Sequence, residues 1–128
     1  MKTPEPPKLL TEVELELMNI IWKLGEGTVH EVIENLATDR DLAYTSVSTI
    51  LRILEQKKVV TTTKEGRSHI YHPLLSKADY ESRAVHHVVK TVFDDTPLKM
   101  VKQLLDQSRL SPSELAEIKL WLRKKEES

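Results

Sequence analysis

Residues 43–54 read AYTSVSTILRIL. Val47, Ile50, Leu51 and Leu54 recur at i, i+3, i+4 and i+7, the spacing of one buried helix face, so the stretch is expected to be helical. Thr45, Ser46, Ser48 and Thr49 nevertheless crowd its first turns, although such hydroxyls compete for the backbone and are middling helix formers. On a helical wheel the face opposite the apolar stripe holds Thr45, Thr49, Arg52 and Gln56, with Ser48 beside them. That face is polar and nearly free of acid. Short hydroxyls near a helix N-terminus can donate to phosphates or base edges, while the backbone N–H groups and helix dipole face the same anion. The Arg52 fork suits guanine O6 and N7, or a bridging phosphate. The composition makes sense if this face touches DNA. For an isolated helix, plain solvation of Ser and Thr would be the commoner explanation, so the surrounding sequence has to decide.

Downstream the hydrophobic period changes from 3.6 to 2. VVTTT (59–63) and SHIYH (68–72) are β-branched or aromatic-containing runs separated by Lys64, Glu65, Gly66 and Arg67, which predicts a hairpin with a tight, charged tip. Pro73 ends the second strand. Elsewhere, helix starts are marked by Ser or Thr followed three residues later by an acid, a pair that satisfies two orphan backbone donors at once. Thr11/Glu14, Thr28/Glu31, Ser76/Asp79 and Ser111/Glu114 fit, and Thr96 before Pro97 marks a further start. Six helices are expected, roughly 11–24, 28–38, 43–57, 76–93, 96–106 and 111–126. Three compact helices followed by a hairpin are the element order of a winged helix-turn-helix, whose third helix enters the major groove. The apolar faces agree. Val13, Leu17, Ile20, Ile21 and Leu24 line the first helix, and Val29, Val32, Ile33 and Leu36 line the second.

At 128 residues, 39% hydrophobic and 30% charged, the chain suits one ordinary domain or two small ones. The net charge of −1 is unevenly spread. Residues 1–39 carry 3 Lys/Arg against 8 Asp/Glu, residues 40–73 carry 6 against 3, and residues 74–128 carry 10 against 9. Only the middle third is basic, so one face can address a polyanion. The absence of cysteine excludes disulfides and thiolate chemistry. No apolar run approaches the ~18 residues of a membrane span, and MKTPEPPK has no signal-like apolar stretch, so the expectation is a cytoplasmic protein with no membrane partner.

The runs LTEVELELMNIIWKLGEGTVHEVIENL, YTSVSTILRILEQK and EGRSHIYHPL, followed by LSPSELAEIKLWLRKKEE, resemble in order the penicillinase-repressor family of BlaI, MecI and CopY. The resemblance covers about residues 9–125. It implies a bacterial repressor that is mainly α with a small β-hairpin, having an N-terminal winged helix-turn-helix (residues 9–74) and a C-terminal three-helix dimerisation domain (residues 75–127). Its implied partners are a second copy of the chain and double-stranded DNA carrying an inverted-repeat operator. By position, Tyr44, Thr45, Ser46, Ser48, Thr49 and Arg52 correspond to the recognition helix, and Lys64, Arg67 and Ser68 to the wing. Three departures stand out. Lys58 occupies a turn where the family usually has Gly, and must take it up at some strain unless the chain follows another route. Ala43 stands where a capping residue is common, leaving that helix start weakly capped unless Asp41 serves. Gln103-Leu104 replaces the Asn-Phe pair cleaved in the antibiotic-responsive members, so the resemblance does not carry an upstream sensor protease to this chain. The cysteine cluster of copper-responsive members is also missing.

In the C-terminal third, Val88, Val92, Leu98, Val101, Leu104, Leu105, Leu115, Ile118 and Leu122 are the candidate dimer contacts. About fifty residues in three helices cannot bury this much apolar surface alone, and pairing with another copy would cover it; folding back onto the N-terminal core is the alternative. The five histidines are poorly spaced for a metal, since His86 and His87 point about 100° apart on a helix and His69 and His72 lie on opposite strand faces. A metal or pH switch at the hinge through His72, His86 or His87 is the rival to solvated or packing histidines. No nucleophile-base pair or Gly-rich phosphate loop is evident, so neither enzyme activity nor a cofactor is expected. The alternative from another class is a winged-helix module whose hydroxyl face docks a protein instead of DNA.

Overall fold

The computed structural model describes residues 9–107 and 109–127. Its elements follow in the order α1 (Glu12–Leu24), α2 (Val29–Glu34), α3 (Tyr44–Gln56), β1 (Val60–Glu65), β2 (Ser68–Pro73), α4 (Lys77–Thr91), α5 (Pro97–Asp106) and α6 (Pro112–Glu127). The expected mainly helical architecture with one hairpin is found. Contacts divide the chain into two compact units, one running through Ala84 and one starting at Val85.

Helix starts obey the local chemistry. Thr11 Oγ1 accepts from the Glu14 amide at 3.2 Å while Glu14 Oε1 accepts from the Thr11 amide at 2.9 Å. The same reciprocal box opens α2 at Thr28/Glu31 and α6 at Ser111/Glu114. At Ser111 the amide and hydroxyl hold the Glu114 carboxyl below its ordinary pKa. Ser76 accepts from the Asp79 amide at 3.1 Å ahead of α4. The start of α3 differs. Ala43 is its N-cap and no side chain caps it, so Asp41 does not serve.

Two expectations on element length are corrected. Helix α2 stops at Glu34, four residues before the expected end, because Asn35 leaves the helix (φ −100°, ψ 4°) and donates from Nδ2 to the Glu31 carbonyl at 2.8 Å. Leu36 still packs on the core from the turn that follows, which is why its apolar spacing looked helical. The hairpin tip is two residues, not four. Glu65 pairs with Ser68, and the turn is Gly66–Arg67, with Gly66 at φ 62° as a tight hairpin turn requires. A third backbone segment joins this sheet: Gly27 and Tyr71 exchange N–H···O bonds of 3.0 and 2.8 Å.

The N-terminal core is built from Leu17, Met18 and Ile21 of α1, Val32 of α2, Val47, Leu51 and Leu54 of α3, and Val59 and Val60 at the entry to β1. Leu24, expected in the α1 stripe, is 39% exposed. Trp22 and Tyr80 rest against this core with ring centroids 5.7 Å apart. Trp22 Nε1 donates to the Leu75 carbonyl at 2.8 Å, and the Tyr80 hydroxyl accepts from the Leu10 amide at 3.1 Å. The first turn of α4 thereby belongs with the N-terminal unit.

Lys58 sits at φ 62°, the left-handed region expected from its place in the turn. The Lys58 amide donates to the Glu55 carbonyl and the Val59 amide to the Leu54 carbonyl, both at 3.0 Å, which is a Schellman ending with its apolar contact between Leu54 and Val59. A side chain in that region is strained, and glycine is not. Lys58→Gly is expected to stabilise the chain by about 0.5–1 kcal/mol, read as a higher denaturation midpoint at unchanged slope; a lower midpoint would show that the lysine side chain contributes more than its backbone costs.

Glu14 is almost wholly buried, and Lys57 Nζ donates to its two carboxylate oxygens at 3.0 and 2.8 Å, joining α1 to the end of α3. Burial alone would push the Glu14 carboxyl up, but the Lys57 ammonium and the Thr11 amide and hydroxyl outweigh it and hold the pKa below its ordinary value. A depressed carboxyl stabilises the fold above its unfolded pKa, and that contribution disappears as pH falls through the lower folded value. Glu14→Gln should therefore cost about 1–3 kcal/mol near neutrality, with Lys57 partly in water limiting the loss. The gap between the two proteins should close on acidification below about pH 4. Thermal unfolding across that range checks this; a gap independent of pH would remove the ion pair from the account.

In the C-terminal unit no side chain of α5 or α6 is buried. Leu98 is 74% exposed and Trp121 55%. Of the candidate dimer contacts, Val92, Leu98, Val101, Leu104, Leu105 and Leu122 are exposed, while Val88, Leu115 and Ile118 are half-buried. Asp94 and Asp95, between α4 and α5, both take positive φ. Lys99 Nζ lies 2.9 Å from the Asp94 carboxylate and lowers its pKa.

Candidate nucleic-acid interface

Burying Val47, Leu51 and Leu54 turns the opposite side of α3 to solvent, and Thr45, Ser46, Thr49, Arg52 and Gln56 are all exposed there. The hydroxyls do not behave alike. Thr49 Oγ1 donates back to the Thr45 carbonyl at 2.8 Å, an i−4 bond that costs the helix little and still leaves the oxygen free to accept.

The expected recognition residues divide between two flanks of α3. Tyr44, Ser48 and Arg52 face the hairpin and line a concavity of about 320 Å³, whose far wall includes Arg67, Ser68 and His69. Thr45, Ser46 and Thr49 line a shallow depression with Ile50 on the other flank. Lys64 is exposed on β1, opposite His69 in the register, and lies outside the concavity. The structure thus brings Arg52, Arg67 and Ser68 to one cavity and sets the threonines apart from them.

Besides Val29, Thr62 and Tyr71, four lining residues lie outside the expected recognition and wing residues. Thr28 and His30 come from the start of α2, where the His30 ring packs against Tyr44 at 4.9 Å between centroids. His69 comes from β2. Glu55, the fourth, places an acid in a surface expected to be nearly free of one. It falls three residues after Arg52, so the helical spacing could have found it. The Thr62 hydroxyl donates to Glu55 Oε2 across the gap between α3 and β1. Beneath them Tyr71 is buried, and burial first, then the Glu55 charge, pushes its phenol pKa up.

His30 and His69 both line the concavity, whereas His72 is not part of its lining. His72 Nε2 is 2.8 Å from the Thr63 hydroxyl, and its Nδ1 is 3.9 Å from Glu26, whereas His69 lies on the cavity side. Among the described residues no group of three or more His, Cys, Asp or Glu side chains could hold a metal ion. Among them, too, no helix is long and apolar enough to cross a membrane.

Comparison with known proteins places this geometry in context. The family model described as penicillinase repressor matches residues 10–124. A penicillinase repressor from Bacillus licheniformis is 30% identical over 85% of this chain and 85% of its own length. The methicillin resistance regulatory protein MecI of Mammaliicoccus sciuri is 23% identical over 91% of this chain and 94% of its own. Among solved structures, the solution structure of the DNA binding domain of the repressor BlaI superposes with a TM-score of 0.52 at 32% identity. It covers 62% of this chain and 94% of that domain.

Proposed function

The chain belongs to the penicillinase repressor family and is a DNA-binding transcriptional repressor; from that premise we propose that it acts as a cytoplasmic homodimer on an inverted-repeat operator, reading bases with α3 and anchoring through the hairpin. The observation that carries the site assignment is the placement of Arg52 and Arg67 on the two walls of one concavity, beside an outward helix face of hydroxyls.

In this reading Thr45, Ser46, Ser48, Thr49 and Arg52 lie in the major groove, with Tyr44 at the helix start. Lys64, Arg67 and Ser68 meet the flanking backbone. The exposed apolar side chains of the C-terminal unit, among them Val92 just after α4, Leu98 and Leu105 on α5 and Leu122 on α6, are covered by a second copy. Two recognition helices would then address half-sites about 34 Å apart on one face of the duplex. Repression follows from occluding the promoter.

Fluorescence anisotropy against DNA from the chain's own upstream region, over a salt series and with a scrambled duplex as control, tests it. The expected result is binding at two chains per duplex that exceeds the control by ~10³ and weakens steeply as salt rises, because phosphate contacts release counterions. Equal, salt-insensitive binding to both duplexes would refute it.

A further inference from the structure

We propose that Glu55 reads a base, accepting a hydrogen bond from the N4 amino group of a cytosine. This rests on the DNA-binding reading of α3 and adds a specificity determinant to it.

Glu55 is the one acid in α3, and it lies on the same flank as Ser48 and Arg52, facing the concavity. Its carboxylate is only partly used. Thr62 Oγ1 donates to Oε2, and no other hydrogen bond to the carboxylate is formed among the described residues. The threonine, standing on β1, holds the side chain through Oε2 and leaves Oε1 as an unfilled acceptor on a residue that lines the open cavity. A phosphate is repelled by that oxygen, so a backbone contact does not suit it.

On the major-groove edge the hydrogen-bond donors are the exocyclic amino groups of cytosine and adenine. Adenine sets its N7 lone pair beside the amino group, which would oppose the carboxylate. Cytosine presents a C–H there. Glu55 therefore suits cytosine N4, the pairing that acidic side chains make in this groove. Arg52 lies three residues earlier, about 4.5 Å along the helix axis. That is close to the ~3.4 Å rise of one base pair. A guanine read by Arg52 and a cytosine read by Glu55 would thus come from the same or adjacent G·C pairs.

The test starts with the full chain and a randomised duplex pool, from which the preferred half-site is selected. Each base pair is then replaced in turn, and affinities of wild type, Glu55→Ala and Glu55→Gln are measured. Wild type is expected to lose about tenfold or more when one cytosine is replaced. The same loss is expected when that cytosine is exchanged for 2-pyrimidinone, which lacks only the amino group. Glu55→Ala should discriminate less than about threefold at that position and remain selective elsewhere. Glu55→Gln, which can keep the Thr62 bond, should shift the preference toward adenine, the base that glutamine contacts bidentately; it also serves if the alanine variant folds poorly.

A uniform change in affinity across all duplexes in both variants would show that Glu55 only ties α3 to β1, and would overturn the inference while leaving the repressor reading intact. Uniformly tighter binding would show that Glu55 merely repels the backbone. If wild type selects no sequence at all, both readings fall together.

Discussion

Replacing Arg52 with glutamate is expected to weaken operator binding by about a hundredfold or more at physiological salt, and to leave the unfolding midpoint nearly unchanged. Truncation to alanine would remove a base contact of about 1–3 kcal/mol. Charge reversal adds repulsion from the phosphates around the groove, and each further 1.4 kcal/mol is about another factor of ten. The fold should not register the change, because Arg52 is exposed and makes no ion pair with an acid among the described residues. Surface substitutions of that kind usually stay within about 0.5 kcal/mol. Lys64→Ala is the contrasting variant. A phosphate contact should weaken binding to all duplexes alike and lower the salt slope by about one. Operator affinity unchanged in Arg52→Glu would show that α3 does not present this residue to a base.

The second large effect is on stability. Leu51→Ala should destabilise the N-terminal unit by about 2–5 kcal/mol, since the side chain is fully buried where α1, α3 and the entry to β1 meet. A unit of this size commands only about 4–12 kcal/mol in total. DNA binding should weaken with it, through loss of folded protein rather than loss of a contact. The two tryptophans separate the units cleanly: Trp22 is held against Leu75 and Tyr80, while Trp121 stands largely in solvent on α6. With Trp121 replaced by phenylalanine, fluorescence during urea unfolding reports the N-terminal unit alone. Ile53→Ala is the control, because Ile53 lies on the same helix but is 37% exposed. A Leu51→Ala penalty no larger than the Ile53→Ala penalty would mean that the core is not organised around α3.

What was legible in the sequence follows the range of the interactions. Capping boxes at Thr11, Thr28 and Ser111 involve residues three apart, and each is found as expected. The strain at Lys58 was equally local, because a turn that ordinarily takes glycine leaves a lysine few conformations. Errors arose where two local signals competed. Leu36 continued the apolar spacing of α2, while Asn35 ended it by bonding back to Glu31. At the hairpin, four polar residues suggested a longer tip, yet Gly66 alone supplies the backbone bend and lets Lys64 and Glu65 pair as strand. The Gly27 bridge to Tyr71 and the meeting of His30, Glu55 and His69 around one concavity depend on elements far apart in the chain. No window of neighbouring residues contains them.

The bare start of α3 reaches further than its stability cost. A serine in place of Ala43 would satisfy one of the exposed amides, worth about 1 kcal/mol to a helix of this kind. The same amides are what an incoming phosphate would meet, so a capped helix would arrive at DNA already satisfied. Thermostabilised versions chosen without regard to DNA are expected to acquire a cap at residue 43, as the family commonly has, and the change in their affinity for DNA would measure how much of the grip the bare amides supply.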